Sequence, residues 1–95
     1  MADFFDRRDV GAVAAFTDPL SLVEFQFESH EQLVFNESNS VLEVSFDGVN
    51  VHGRLNATGP SAVIHWSDHV RKKLWVRRIG AGGGAKFVQV LATTR

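Results

Sequence analysis

The alternation of apolar and polar residues on either side of Asp47-Gly48 constrains the fold of this chain more than any other feature. Val41–Phe46 alternates before the dipeptide, with Leu42, Val44 and Phe46 predicted to point inward, and Val49–Asn56 alternates after it. Asp-Gly between two such runs is typical of a β-hairpin with a two-residue type I′ turn, because that turn needs positive φ at both central residues. The sequence therefore predicts two adjacent antiparallel strands here.

Period-two patterns elsewhere predict further strands. Leu22–Glu28 places Val23, Phe25 and Phe27 on one face and polar residues on the other, as in a half-buried strand. Residues 67–80 fit either a helix or a strand, and their scattered apolar positions favour a turn followed by a strand. The other candidate strands are Gln32–Phe35, Ser61–Trp66, Leu74–Ile79 and Lys86–Thr93.

Residues 6–16 are predicted to form a short helix. Asp6 is a suitable N-cap, and apolar residues recur with helical spacing until Asp18-Pro19, where the helix must stop. The expected fold is mainly β, at the margin of α+β. It is a single domain over residues 1–95, with the helix at 6–16 and an antiparallel β meander over 22–93. About seven short strands would form a small barrel or sandwich.

Charge is divided by position along the chain. Residues 1–48 hold ten acidic and two basic residues, a net charge of −8, whereas residues 49–95 hold one acidic and eight basic residues, a net charge of +7. Three interpretations are open: an anionic partner for the basic half, head-to-tail self-association, or neutralisation within the folded chain.

The densest basic stretch predicts a surface for an anionic partner. Arginines and lysines along a β-ribbon can bind phosphates, Trp75 can stack on a base, and the amides of the Gly80–Gly84 loop can form an anion nest. Alternatively, these bases face the acidic strand Leu22–Glu28 and are neutralised there. The pI of 6.4 lies below the values usual for dedicated nucleic-acid-binding domains. The candidate residues are Arg71, Lys72, Lys73, Trp75, Arg77, Arg78 and Lys86.

Glu43, His52 and His65 form a second candidate site. Pairing through a two-residue turn sets Glu43 opposite His52, and a four-residue loop at Ala57–Pro60 sets His52 opposite His65. Opposed side chains lie about 5 Å apart at Cβ, so the three would adjoin. They could ligate zinc or iron, or act as an acid–base pair, or be a polar sheet face that happens to carry histidines. No other cofactor and no small-molecule ligand is predicted.

Composition excludes several classes of protein. The chain has no cysteine, which rules out disulfides and thiolate chemistry. It shows no secretory signal and no long apolar run, so we expect a cytoplasmic location without membrane contact. Eight Phe and two Trp accompany no Tyr, which favours rings in the core over a large aromatic interface.

These observations favour a non-enzymatic interaction or assembly module. It would self-associate, or dock on an acidic protein surface, through oppositely charged patches. The layout suits a ring-forming structural component of a larger particle such as a virion connector. The alternatives are a nucleic-acid-binding β module using residues 71–78, and a metal-dependent or acid–base enzyme at Glu43, His52 and His65.

Overall fold

A computed structural model describes residues 3–57, 62–79 and 86–94, apart from the side chain of His69. These residues form one antiparallel sheet of six strands in the order β1-β6-β2-β5-β3-β4, so the expectation of a mainly β protein is confirmed. Pro19–Ser21 forms a single 3₁₀ turn. The strands are β1 Asp3–Asp9, β2 Leu22–Asn36, β3 Leu42–Ser45, β4 Gly53–Leu55, β5 Val63–Arg78 and β6 Phe87–Thr93.

Two long strands, β2 and β5, run through both halves of the sheet. Their pairing is regular at each end and irregular in the middle, where Gln26 and Asp68 have positive φ. We call β1, β6, residues 31–36 of β2 and residues 63–67 of β5 the first half. The second half comprises residues 22–24 of β2, residues 73–78 of β5, β3 and β4. Each long strand was predicted as two short strands separated by a turn, because its irregular middle carries polar, turn-forming residues.

The core lies on the inner side of the bent sheet and draws on both halves. Val34, Val88 and Val90 of the first half belong to the same buried cluster as Leu42 and Leu55 of the second. Alternate residues of β3 and β6 and of parts of β2 and β5 enter this cluster, as the period-two pattern requires, and β1 adds Phe4. Inward positions predicted at Val23, Phe25, Leu42 and Val44 are therefore confirmed.

The sheet curls but does not close into a barrel. Its two edge strands, β1 and β4, are not paired with each other. The chain after β1 instead crosses to the end of β5, where the amide of Arg78 donates to the carbonyl of Val13 at 2.9 Å. Among the described strands only β3 and β4 are neighbours both in sequence and in the sheet, so the order is not that of a simple meander.

The helix predicted at 6–16 is wrong. Its first residues belong to β1, which pairs with β6 over its whole length. The carboxylate of Asp9 accepts from the amides of Gly11 and Lys86 and so ends the strand in a turn. Two separate turns follow, closed by hydrogen bonds from Val13 to Val10 and from Asp18 to Ala15. Strand pairing and Gly11 outweigh the weak helical spacing.

Two predicted features fall outside the described residues. They are the Gly80–Gly84 loop and most of the loop at Ala57–Pro60. Within the described ranges, no helix has the length and apolar character that a membrane crossing demands.

Candidate functional site

Glu43 lies between two arginines rather than between histidines. The register of the sheet sets it opposite Arg54 on β4 and opposite Arg77 on β5. Its carboxylate oxygens lie 3.0 Å from Arg54 Nη2 and 2.7 Å from Arg77 Nη2, and the residue is only 6% exposed. The Arg77 guanidinium also lies 4.1 Å above the ring centre of Phe16, which is itself buried. This cluster is a structural ion triad.

The triad keeps Glu43 ionised. Burial raises the pKa of its carboxyl, but the hydrogen bonds and charges of Arg77 and Arg54 lower it more, so the net pKa falls below the ordinary value. A carboxylate held in this way is a poor general acid or base near neutral pH, because it does not exchange a proton there.

The predicted pairing of Glu43 with His52 is wrong by two residues. The cause is Asp47, whose carboxylate accepts from the amides of Val49 and Asn50 and widens the turn. These hydrogen bonds also hold the pKa of Asp47 far below its usual range. Of the two turn residues only Gly48 has positive φ, 78°, so a type I′ turn does not form.

The two histidines lie in separate places. His52 accepts a 2.9 Å hydrogen bond at Nδ1 from the amide of Phe46 and so helps to close the widened loop. His65 is opposite Leu33 on β2, and its Nε2 lies 3.3 Å from a carboxylate oxygen of Glu31. The row of Glu43, His52 and His65 is therefore not formed. No cluster of three His, Asp or Glu residues suited to a metal occurs among the residues that the structure describes.

Three of the seven bases and aromatics predicted to bind an anionic partner are engaged within the chain. Arg77 binds Glu43, and Arg78 Nε donates to the carbonyl of Gly11 at 2.7 Å. Lys86 is buried, and its Nζ donates to Asn39 Oδ1 at 2.7 Å. Arg78 and Lys86 hold loops against the ends of strands, whereas Arg77 joins two paired strands.

The other four predicted residues lie along the middle and second half of β5. Arg71 stacks on the ring of Phe46 at 4.6 Å, and Lys73 Nζ lies 5.3 Å from the ring centre of Trp75. Lys72 and Lys73 are exposed, whereas Trp75 is half-buried under Gly48. Lys73 also pairs across the sheet with Glu24, as the neutralisation alternative anticipated.

The strand order mixes the acidic and basic halves of the sequence. β5, which carries most of the bases, lies between β2 and β3 of the acidic half. Glu43 binds Arg54 and Arg77 across those halves, and the register sets Glu24 opposite Lys73. Part of the sequence asymmetry is thus neutralised inside one sheet.

The outward side of the first half carries exposed apolar side chains. Across adjacent strands, Phe5 of β1 pairs with Leu91 of β6, and Leu91 pairs with Leu33 of β2. The next row adds Phe35 and Val63. Phe5 is 59% exposed and Leu91 36%, and the described part of the chain does not cover them. We call these five residues the apolar face.

Polar groups border the apolar face at the two ends of its strands. At one end Arg7 lies 4.0 Å above the ring of Phe87 and binds Glu37 at 2.8 Å, and Gln89 binds Glu37 as well. At the other end, Asp3 and Glu31 flank Thr93. A shallow groove lined by Leu33, Leu91 and His65 leads to this second end.

Sequence reasoning missed the apolar face, although a signal for it exists. In β2 the run Leu33-Val34-Phe35 is apolar on both sides of the strand, and Val90-Leu91 of β6 is too. Strands of this kind are typically covered on both faces. The inner positions of β2 meanwhile include the buried polar residues Gln32 and Asn36. Asn36 donates to the carbonyls of Ser40, Leu55 and Asn56, which explains how an amide occupies the core side.

Comparisons with known proteins leave the interpretation to the structure. No protein-family model matches the chain, and no curated protein is significantly similar to it.

Proposed function

We propose that this protein is a non-enzymatic assembly module that self-associates. The observation that carries the proposal is the apolar face, where Phe5, Leu91 and Leu33 form a continuous row across three strands. Contiguous exposed apolar surface is uncommon on monomeric proteins and marks interaction sites. The expectation that the phenylalanines belong to the core holds for Phe16 and Phe25 but not for Phe5 or Phe35.

The mode of contact differs from the one that the charges suggested. Opposite charges were expected to meet between molecules, yet Arg77 and Lys86 are used inside the chain. An apolar contact accounts for strands β2 and β6 being hydrophobic on both sides, which internal neutralisation does not. The proposal therefore keeps the assembly role and moves the contact from the basic stretch to the apolar face.

Absolute solution mass tests this function. Light scattering after gel filtration is measured from about 1 µM to about 1 mM, a range that brackets weak protein–protein association. We expect the mass to rise above 10.5 kDa with concentration. A mass of one chain at every concentration would overturn the proposal.

Nucleic-acid binding is a second candidate, favoured by the exposure of Lys72 and Lys73 beside Trp75. A single strand bound there would quench Trp75 fluorescence, and binding would weaken steeply with salt. The variant Lys72→Glu/Lys73→Glu should abolish the effect. Quenching that is absent at low salt would remove this candidate.

A further inference from the structure

We infer that the apolar face binds the same face of a second copy, about a two-fold axis that passes near Phe5 and runs across the strands. This inference rests on the proposed function, and it specifies the surface and the symmetry. The occupant is identified from the order of side chains along β1 and from the central apolar row of the neighbouring strands; the size of the face sets the strength of the contact.

The outward side of β1 is complementary to itself. Asp3, Phe5 and Arg7 are alternate residues of one strand and share its exposed side. A two-fold axis through Phe5 and perpendicular to the strand reverses this order in the second copy. Phe5 then meets Phe5, and each Asp3 meets an Arg7. An isologous contact requires self-complementarity of this kind.

Arg7 is suited to receive a second carboxylate. It binds Glu37 in the same chain, and 47% of its side chain stays exposed. The hydrogen bonds and charge of Glu37 raise the pKa of Arg7, and the guanidinium has donors for more than one carboxylate. Asp3 of the other copy would therefore join an arginine that Phe87 and Glu37 already hold in position.

The central row of the neighbouring strands fits the same axis. Leu91 and Leu33 lie in the row of Phe5, so each would meet its own counterpart and extend the apolar contact. In the rows on either side this axis would set Glu31 over Phe35 and Ser67 over Val63, so the apolar contact is confined to the central row. An axis parallel to the strands would instead place Asp3 over Ser67 and Arg7 over Val63, with no opposite charges. The order of charges therefore favours the perpendicular axis.

The size of the face sets the expected strength. Four strands and five residues along each give roughly 19 by 17 Å, about 300 Å² in projection. Two such faces bury on the order of 600–1,000 Å², at or below the lower limit for specific interfaces. We therefore expect a concentration-dependent dimer with a micromolar or weaker dissociation constant, not a permanent one.

Sedimentation equilibrium of charge and apolar variants tests the inference. Phe5→Lys should weaken dimerisation at least ~10-fold, because it sets two lysines against each other on the axis, where two apolar rings would otherwise meet. Val49→Lys is the matched control, since Val49 is 77% exposed but lies in the loop between β3 and β4. It should dimerise like the wild type.

Charge exchange provides the second arm. Asp3→Arg and Arg7→Asp should each weaken dimerisation, and Asp3→Arg/Arg7→Asp should restore it. Loss of the Arg7–Glu37 pair cannot produce that restoration, because the double variant lacks the pair as well. Circular dichroism of each variant checks folding. If Phe5→Lys does not fold, the comparison of Asp3→Arg/Arg7→Asp with the two single variants tests the inference by itself.

The outcomes separate this inference from the proposed function. If the wild type self-associates and neither Phe5→Lys nor the single charge variants change its affinity, the inference is overturned while the assembly role stands. If the wild type is a monomer throughout, the assembly role fails and the inference fails with it. Weakening by Phe5→Lys with restoration by charge exchange supports both.

Discussion

The two halves of the sheet present opposite chemistry on their outward sides. In the second half this side is charged, and Glu43, Arg54 and Arg77 bind one another there. In the first half it is apolar, and Phe5 and Leu91 stand exposed between polar ends. Both halves share one core and the same two long strands. The difference in their outward chemistry therefore comes from the side chains at the outward positions and not from the backbone arrangement.

The groups available for contact differ between the halves. The second half buries the Glu43 carboxylate between two arginines but keeps Lys73 and much of Arg54 exposed, so it offers positive charge rather than apolar area. The first half leaves apolar area in water at a cost of about 25 cal/mol per Å² relative to burial. Covering the first half therefore brings a free-energy gain that covering the second half does not.

The largest expected effect on stability comes from Glu43→Ala. The substitution removes charge-assisted hydrogen bonds from the buried carboxylate to two arginines that are themselves 63% and 30% exposed, and we expect a loss of about 3 kcal/mol in the free energy of unfolding. Urea denaturation measures it. Glu37→Ala is the matched control in the first half, where the ion pair with Arg7 is exposed, and it should change stability little. Equal losses for the two variants would break the distinction between the halves.

Two adjacent residues of β6 test the difference between the buried inner face and the exposed outward face. Val90 is fully buried, so Val90→Ala should cost about 2 kcal/mol through lost burial and the cavity left behind. Leu91→Ala removes a larger but exposed side chain and should cost less than about 1 kcal/mol in the monomer. Thermal unfolding at low concentration compares them. Of the two variants, only Leu91→Ala should also weaken self-association. A larger loss of stability for Leu91→Ala than for Val90→Ala, or weaker self-association for Val90→Ala only, would contradict the assignment of the inner and outward faces.

Lowering the pH is expected to have a smaller effect on the free energy of unfolding than these substitutions. The pKa of Glu43 is lowered in the folded state, so its contribution is present above the unfolded pKa and is lost as pH falls through the folded pKa. The difference in stability between the wild type and Glu43→Gln should therefore shrink as pH falls below the ordinary glutamate range. Urea midpoints measured from neutral to acid pH test this. A difference that stays constant with pH would mean that the triad does not depend on the Glu43 charge.

The sequence predicted the β class and many inward positions because period-two patterns depend only on the local chain. Leu42, Val44, Val23 and Phe25 were placed correctly for this reason. The strand register was predicted wrongly, because the side chain of Asp47 changes the length of the turn and with it the residue that pairs with Glu43. The row with His52 and His65 depended on that register and on a loop outside the described residues.

Long-range pairing explains the remaining errors. Residues 6–9 carry weak helical spacing, but only the approach of β6, some 80 residues later, makes them a strand. The apolar face likewise needs four strands from distant parts of the chain. Its signal was local, in the two-sided hydrophobicity of Leu33-Val34-Phe35, yet that pattern shows only that both sides are covered and not by what.

Amide chemical shifts measured during dilution test the central claim most directly. Spectra are recorded from about 1 mM to about 10 µM, a range that brackets a dissociation constant of about 100 µM, as expected for a face of this size. The account predicts shifts at Phe5, Leu91 and Leu33 and their neighbours in the first half, with Arg54, Trp75 and Arg77 unchanged. Shifts centred on Trp75 and Arg77, or no shifts at all, would contradict it.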